Sequence, residues 1–357
     1  MMKFRLLLLP FAWLYGCIIT IRYALYETGI FKRHVFKVPI VAIGNLSVGG
    51  TGKSPLTLYL ATLISNRMKT GILSRGYGRK SKGLLIANNN ATASKIGDEP
   101  MMYYQNFLSN GNVLVAVAEK RVTGVDALIQ KGMQALVLDD AYQHLAVKAG
   151  LYILLTDYNN LYCNDYLLPA GNLREWRSAA HRAQIIMVTK CPVDISPADK
   201  NKITTALKLQ QHQHLFFSSI AYAPILNVLN ALPALNNHFA DLINYDCLLI
   251  TGIANPQPLI VYCQKHFAQV HTLTFADHYM FNENDLSQGR KIFDNIANSK
   301  KLILTTQKDW MRLQQGHLKI VLNDLPVYVQ PISMQIDNIE TFNQIIHTYV
   351  NSTHTNG

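Results

Sequence analysis

An apolar run, VPIVAIG (38–44), empties into the glycine-rich stretch Gly44-Asn45-Leu46-Ser47-Val48-Gly49-Gly50-Thr51-Gly52-Lys53-Ser54-Pro55, after which a helical pattern takes over at 53–67. Nothing else in the chain constrains its fold as tightly. A strand that turns through glycines into a helix is the start of a parallel, helix-covered sheet, and the turn itself is a phosphate cradle. Its glycines let consecutive N–H groups point inward onto phosphate oxygens. Lys53 reaches the outer phosphates, the Ser54 hydroxyl serves Mg²⁺, and the helix N-terminus adds its dipole. The strict P-loop pattern, GxxxxGK[ST], has Gly where this chain has Ser47; a glycine-rich turn with a chance Lys-Ser is the alternative. The loop also resembles that of partitioning ATPases, but Val48 stands where those carry a signature lysine. This counts against an ATP-driven membrane switch.

Strand-like runs then recur at 70–76, 113–119, 135–140, 151–157 and 183–190, with helical patterns at 99–108, 121–131 and 197–210 between most of them. The region 211–244 is looser, and the rhythm resumes with runs at 246–254, 269–276, 301–307 and 327–334 and helical patterns at 256–267, 283–298 and 338–350. The fold class expected is α/β. A P-loop NTPase-like parallel sheet domain (38–222) is followed by a linker (223–245), a smaller α/β domain (246–357) and, ahead of both, an apolar and basic segment (1–37) that associates with a membrane.

The run ALVLDD ends in Asp139 and Asp140, at the carboxyl end of a strand, where acids beside a P-loop hold Mg²⁺ directly or through water. Asp-Asp after a strand is also an ordinary turn. In Gly97-Asp98-Glu99-Pro100 the acids suit a helix start with Asp98 as N-cap, or Asp98 as base for an attacking hydroxyl. Arg75 and Tyr77 close the second strand, in the crevice where α/β proteins take ligands. Arg121 opens a helix, and His278 stands in ADHY. Each is unremarkable alone.

With Lys+Arg 33 against Asp+Glu 22 the net charge is +11, which points to an anionic partner. The chain carries no RGG tract, no long Lys/Arg run and no aromatic RNP motif, so nucleic acid is not the expected partner, and no obligate protein partner is indicated. Five cysteines without a CxxC pair suit free thiols in a reducing compartment. From Leu6 to Ile21 the chain is apolar, flanked by Lys3, Arg5 and Arg22. As a helix this run covers about 24 Å, short of the roughly 30 Å hydrocarbon core. With Trp13, Tyr15 and the basic Lys32, Arg33 and Lys37, it reads as an interfacial anchor; a core helix of the first domain is the other reading.

Taken together the motifs resemble one family, the tetraacyldisaccharide 4′-kinases of lipid A biosynthesis. The resemblance is carried by GNLSVGGTGKSP (44–55), SRGYGR (74–79), GDEP (97–100), Glu119-Lys120-Arg121, DDAYQH (139–144), LLPAGNLREW (167–176), VTK (188–190), TGIANP (251–256), FADHYMF (275–281) and TTQKDW (305–310), in one order along nearly the whole chain. Ser47 is normal for such a loop. The resemblance implies transfer of the ATP γ-phosphoryl group to the 4′-hydroxyl of a lipid-linked glucosamine disaccharide 1-phosphate, giving lipid IVA. It also implies attachment by the N-terminal helix to lipid at the cytoplasmic face of the bacterial inner membrane. Carried over by position, Gly49, Gly50, Thr51, Gly52, Lys53 and Ser54 bind ATP, and Asp139 and Asp140 complete the Mg²⁺ site with Ser54. Asp98, paired with His278, activates the acceptor hydroxyl. Glu99 and Arg121 support the phosphate centre, and Arg75, Tyr77, Gln143, His144, Asn172, Arg174 and Glu175 line the acceptor pocket. A kinase of a soluble metabolite and a membrane-associated ATPase switch remain the alternatives.

Overall fold

The computed structural model describes residues 5–229, 242–315 and 317–355. Lys3 and the middle of the expected linker, 230–241, lie outside the described residues. Two sheets organise the rest. The larger contains β1 (Ile40–Asn45), β2 (Thr70–Ser74), β3 (Leu85–Ile86), β4 (Val113–Val117), β5 (Ala135–Leu138), β6 (Leu151–Asp157), β7 (Ile185–Thr189) and β8 (His214–Tyr222). The smaller contains β9 (Leu226–Asn227), β10 (Asp246–Thr251), β11 (Gln269–Thr274), β12 (Lys301–Thr306) and β13 (Val327–Gln330). A last strand, β14 (Ile332–Ile336), returns to the larger sheet, whose order is β14-β8-β7-β6-β1-β5-β2-β4-β3, while the smaller runs β11-β10-β12-β13-β9. All pairings are parallel except β3 on β4, β14 on β8 and β9 on β13. Only short edge strands and the returning β14 are antiparallel, as expected of sheets built by helical crossovers.

The run 327–334, expected as one strand, is two. Pro331 separates them, and a residue without an N–H marks a natural break in a ladder. β13 stays in the smaller sheet beside β12, whereas β14 pairs with β8, Met334 opposite Ile220. The C-terminal segment therefore does not lie wholly within the second unit. Its final helix, Ile339–Thr355, packs on the P-loop helix Lys53–Ser65, burying Phe342, Ile346 and Val350 with Leu56, Leu60 and Ile64. Tyr349 Oη bonds both the N–H and the carbonyl of Ile40 at 3.0 Å, pinning this helix to the first strand. β8 falls in the stretch read as loose, since His and Gln hide its Leu-Phe-Phe centre. Another core joins the units: Met102 and Tyr103 of the helix Asp98–Asn106, with Phe107 just beyond it, pack with Trp310, Met311 and Leu313 of the helix Gln307–Leu313.

The N-terminal helix, Leu9–Glu27 after a 3₁₀ turn at Leu6–Leu8, runs past Arg22 and is longer than the apolar run suggested. Among the described residues it is the one helix long and apolar enough to cross a membrane. It is docked on the body along one side. A Cβ on Gly16 would fall 2.1 Å from the Trp176 ring, so only glycine permits the contact, and Trp176 Nε1 donates to the Gly16 carbonyl at 3.1 Å. Leu7, Phe11, Leu14, Ile18 and Ile21, spaced four and three residues apart, stay exposed. Together they form a continuous apolar stripe.

Candidate functional site

β1 ends centrally in the larger sheet, between β5 and β6, so the loop after it opens into the crevice at the strands' carboxyl ends. Gly49 (φ +110°) and Gly52 (φ +82°) take the left-handed backbone that turns the loop's N–H groups inward. Lys53 Nζ lies 3.2 Å from Asn45 Oδ1 and 3.7 Å from Asp140 Oδ1. The LLPAGNLREW segment runs alongside, with Ser47 bridged to Leu173 and the Val48 N–H donating to the Asn172 carbonyl at 2.8 Å.

Three carboxylates face this loop, each in a different electrostatic setting. Glu99 accepts from Ser54 Oγ at 2.7 Å and pairs with Lys308 Nζ at 2.6 Å. Burial alone would raise its pKa, but Lys308 and Ser54 hold it at about 2. Asp140, in a left-handed turn (φ +46°), takes both terminal nitrogens of Arg174, at 3.0 and 3.3 Å. Burial is outweighed there by Lys53 and Arg174, and its pKa also falls to about 2. Asp139 is only 1% exposed and accepts from Tyr103 Oη at 3.1 Å, Ser74 Oγ at 3.3 Å and Thr57 Oγ1 at 3.4 Å. Burial, then its neighbours Glu99 and Asp140, push its pKa up to about 6. Two of the acids thus stay ionised while the middle one keeps a proton until near neutrality.

Asp98 is not a helix cap. Gly97 holds the N-cap place, and Asp98 is the first helical residue, with its side chain aimed at the second unit. There its Oδ2 lies 3.6 Å from His278 Nδ1 and 3.4 Å from Arg312 Nε. His278 has φ +57°, and its pKa is raised, first by Asp98. The Arg312 guanidinium is held by Asp309 at 2.6 Å and the Tyr279 carbonyl at 2.7 Å, and Asp309 is itself held by Thr251 and Thr306 hydroxyls, each at 2.7 Å. Sequence reasoning missed Arg312, Asp309 and Lys308. The available signal was TTQKDW, with Thr306 capping a helix that starts in the crevice.

Other expected residues occupy less direct places. Arg121 is 3% exposed, and its end nitrogens donate to the carbonyls of Ala118 and Asp139 at 2.9 Å. These two bonds hold it beneath the Asp139-Asp140 turn, and its Nε is buried without a partner. Glu175, 3% exposed, is paired with Arg182. The Asn172 side chain is engaged by Asp165 and Arg5, and Gln143 Nε2 donates to the Asn45 carbonyl at 3.0 Å. These three reinforce the loops. Burial, then Arg121 and Arg75, lowers the His144 pKa to about 4, which leaves a neutral ring beside Gln143. Arg75 and Tyr77 are exposed, and the Tyr77 ring meets His278 edge-on at 5.7 Å.

A cavity of about 260 Å³ is lined by Gly50–Ser54, Glu99 and Lys308 and by an apolar wall that includes Ile220, Tyr222, Ile253 and Ile332. Cation and N–H donors beside an apolar wall fit a nucleoside triphosphate. The buried Thr51 Oγ1 has no partner, as a phosphate-facing hydroxyl would. Ser54, Glu99, Asp139 and Asp140 are all oxygen donors, the set that a hard cation takes. Among the described residues no group of three or more His, Cys, Asp or Glu has a metal-binding arrangement.

The comparisons with known proteins converge. A family model described as Tetraacyldisaccharide-1-P 4′-kinase, LpxK, matches residues 4–351. The chain is 41% identical to the tetraacyldisaccharide 4′-kinase of Bacteroides thetaiotaomicron, over 96% of this chain and 92% of that one. With the tetraacyldisaccharide 4′-kinase of Flavobacterium johnsoniae it shares 44% identity, over 90% of this chain and 92% of that one. Among solved structures it is similar to LpxK from Aquifex aeolicus, described as an "apo" form in complex with ATP. The TM-score there is 0.74 at 28% identity, covering 97% of this chain and 99% of the other.

Proposed function

The chain belongs to the tetraacyldisaccharide-1-P 4′-kinase family, and from that premise we propose how its residues divide the work. It is an ATP-dependent kinase of lipid A biosynthesis that transfers the γ-phosphoryl group of ATP to the 4′-hydroxyl of tetraacyldisaccharide 1-phosphate, with Mg²⁺ as the metal. Phosphoryl transfer asks for in-line placement and charge neutralisation more than covalent chemistry. Ser54, Asp139 and Asp140 would hold Mg²⁺ together with the nucleotide, with Glu99 supporting Ser54, and the metal would supply charge neutralisation to the phosphates. Lys53 neutralises the outer phosphates, aligned by Asn45 and Asp140. Asp98 accepts the proton of the 4′-hydroxyl as its oxygen bonds to the γ-phosphorus and the bond to the departing ADP breaks. His278 and Arg312, reaching from the second unit, hold the Asp98 carboxylate toward the acceptor. Arg75, Tyr77 and the neutral His144 border the acceptor, and the exposed apolar stripe of the N-terminal helix rests in lipid on the cytoplasmic side, where ATP is available.

The observation that carries this reading is the meeting of Asp98 with His278 and of Glu99 with Lys308. Two consecutive acids beside the P-loop are each engaged by a basic side chain of the other unit. A phosphorylation assay tests it, comparing lipid disaccharide 1-phosphate with soluble sugars and nucleosides. Phosphate should appear on the lipid acceptor alone. Efficient phosphorylation of a soluble sugar, or ATP turnover indifferent to the acceptor, contradicts it.

A further inference from the structure

The nucleotide cavity contains a polar group that none of the roles above uses. Gln330, the last residue of β13, is 2% exposed and lines the cavity. Its Nε2 donates to the Ala223 carbonyl and, at 3.0 Å, to the Pro331 carbonyl. Both neighbours can only accept, so the amide has one permissible orientation, and Oε1 is left buried with no partner. A buried acceptor in that state marks a place where a ligand donor belongs.

Its place along the cavity indicates which donor. Met334 lies by the P-loop, its Cε 3.5 Å from where a Cβ would stand on Gly52. Ile332 comes next going back along the chain, and Gln330 stands on the far side of the break at Pro331, yet both line the same cavity as Gly50–Ser54. A nucleotide with its phosphates on that loop has its base left to meet the rest of the lining. The wall there is apolar, for Tyr222 stands opposite Ile332 across the β8–β14 pair, and Ile220 lies on the same face of β8 as Tyr222. Such a surface suits a flat ring. Asn255, also lining the cavity, accepts from the Gln257 N–H through Oδ1 at 3.3 Å and so has its amide nitrogen left to donate.

We propose that Gln330 selects the base, its Oε1 accepting a hydrogen bond from the 6-amino group of adenine. This rests on the reading of the cavity as the nucleotide site. A 6-oxo purine puts an acceptor against an acceptor, and the amide cannot turn over without setting its oxygen against the carbonyls of Ala223 and Pro331. The mismatch is therefore costlier than a merely absent bond. Asn255 complements this as a donor toward a ring nitrogen.

The test uses the full-length kinase with its lipid acceptor and three nucleotides: ATP, purine riboside triphosphate (hydrogen at position 6) and inosine triphosphate (oxygen at position 6). The wild-type order of kcat/KM should be ATP, then the purine riboside, then inosine triphosphate, with about tenfold or more between first and last, mostly in KM. In Gln330→Leu, KM for ATP should rise about tenfold while that for inosine triphosphate changes little, so discrimination collapses. Equal losses for all three nucleotides would mean Gln330 only supports the fold and would overturn the proposal. If Gln330→Leu does not fold, the wild-type series decides, because equal use of ATP and the purine riboside is also an overturning result. Lys53→Ala is the control on the site itself and should weaken all three nucleotides alike. If Lys53→Ala uses ATP normally, the nucleotide reading fails first, distinguishably from a failure at Gln330.

Discussion

Asp98 and His278 stand in different units, yet an acid–base pair made this way has a testable signature. Asp98→Asn keeps the shape and removes the base, so kcat should fall about 10²–10⁴-fold with KM for ATP little changed. His278→Ala should lose less, and the double variant should be scarcely worse than Asp98→Asn alone, since members of one unit are not additive. Steady-state kinetics of the three variants check this, and additive losses would separate the two residues. Asp139 offers a second test through pH. Its folded pKa, about 6, lies above the ordinary 3.8, so between these values the folded state holds more protons than the unfolded. Stability of the nucleotide-free protein should therefore fall as pH rises from about 4 to about 6 and level off above, by at most about 3 kcal/mol. Asp139→Asn removes that cost. Its thermal midpoint at pH 7 should exceed the parent's, with the gap closing at pH 4, while kinase activity is lost. An unchanged or lowered midpoint at pH 7 would show that the carboxylate is not strained by its burial.

The N-terminal helix carries two faces with separable jobs. Gly16 and Trp176 dock it, as do Arg5 on Asn172, Tyr15 on the Arg174 carbonyl and Arg22 on the Gln143 carbonyl. Removing the helix therefore disturbs the LLPAGNLREW loop as well as the attachment. Replacing Phe11, Leu14 and Ile18 together by Gln leaves the docked face intact. The triple variant should sediment less with membranes and show a raised KM for lipid acceptor, with KM for ATP unchanged. High salt should add to the loss, because attachment by one apolar element is usually seconded by charge. Undiminished sedimentation in low and high salt would move the anchor elsewhere. The helix itself was legible from its apolar run, but its end was not. Arg22 ends the run in composition, whereas the hydrogen-bonded turns continue to Glu27, and a charged residue that can reach a carbonyl does not stop a helix.

At the level of the molecule, the chain crosses between its units more than once. β14 and the last helix complete the P-loop sheet after the chain has built the smaller one. Truncation after Pro331 removes Met334, Ile336, Phe342, Ile346 and Val350 from a buried core. At about 1.5–3 kcal/mol for each large side chain, the loss is comparable to the about 5–15 kcal/mol by which a domain is usually stable. The truncated chain should fail to give a cooperative unfolding transition for the P-loop unit by circular dichroism. A truncated protein that melts like the parent would show that β14 is an accessory strand. The same crossing explains why 327–334 misled as a sequence pattern: both halves are extended and partly apolar, and only the partner strand differs.

Features that depend on neighbours along the chain could be read from the residues alone. The glycine loop with Lys53 and Ser54, the alternation of strand and helix, Asp139-Asp140 at a strand end and the apolar N-terminus are local patterns, and local backbone chemistry obeys them. How those pieces are used came from packing between distant segments. Capping by Asp98 was a fair local reading, but Gly97 took the cap, and the carboxylate was left for His278 and Arg312. Arg121, unremarkable as a residue opening a helix, has the carbonyls of Ala118 and Asp139 around it in the folded chain. Lys308, Arg312 and Gln330 gained their positions because the smaller sheet sets the carboxyl ends of its strands against the P-loop. That juxtaposition depends on packed apolar surfaces distant in sequence, Met102 and Tyr103 against Trp310 and Met311, and no periodicity along one segment encodes it.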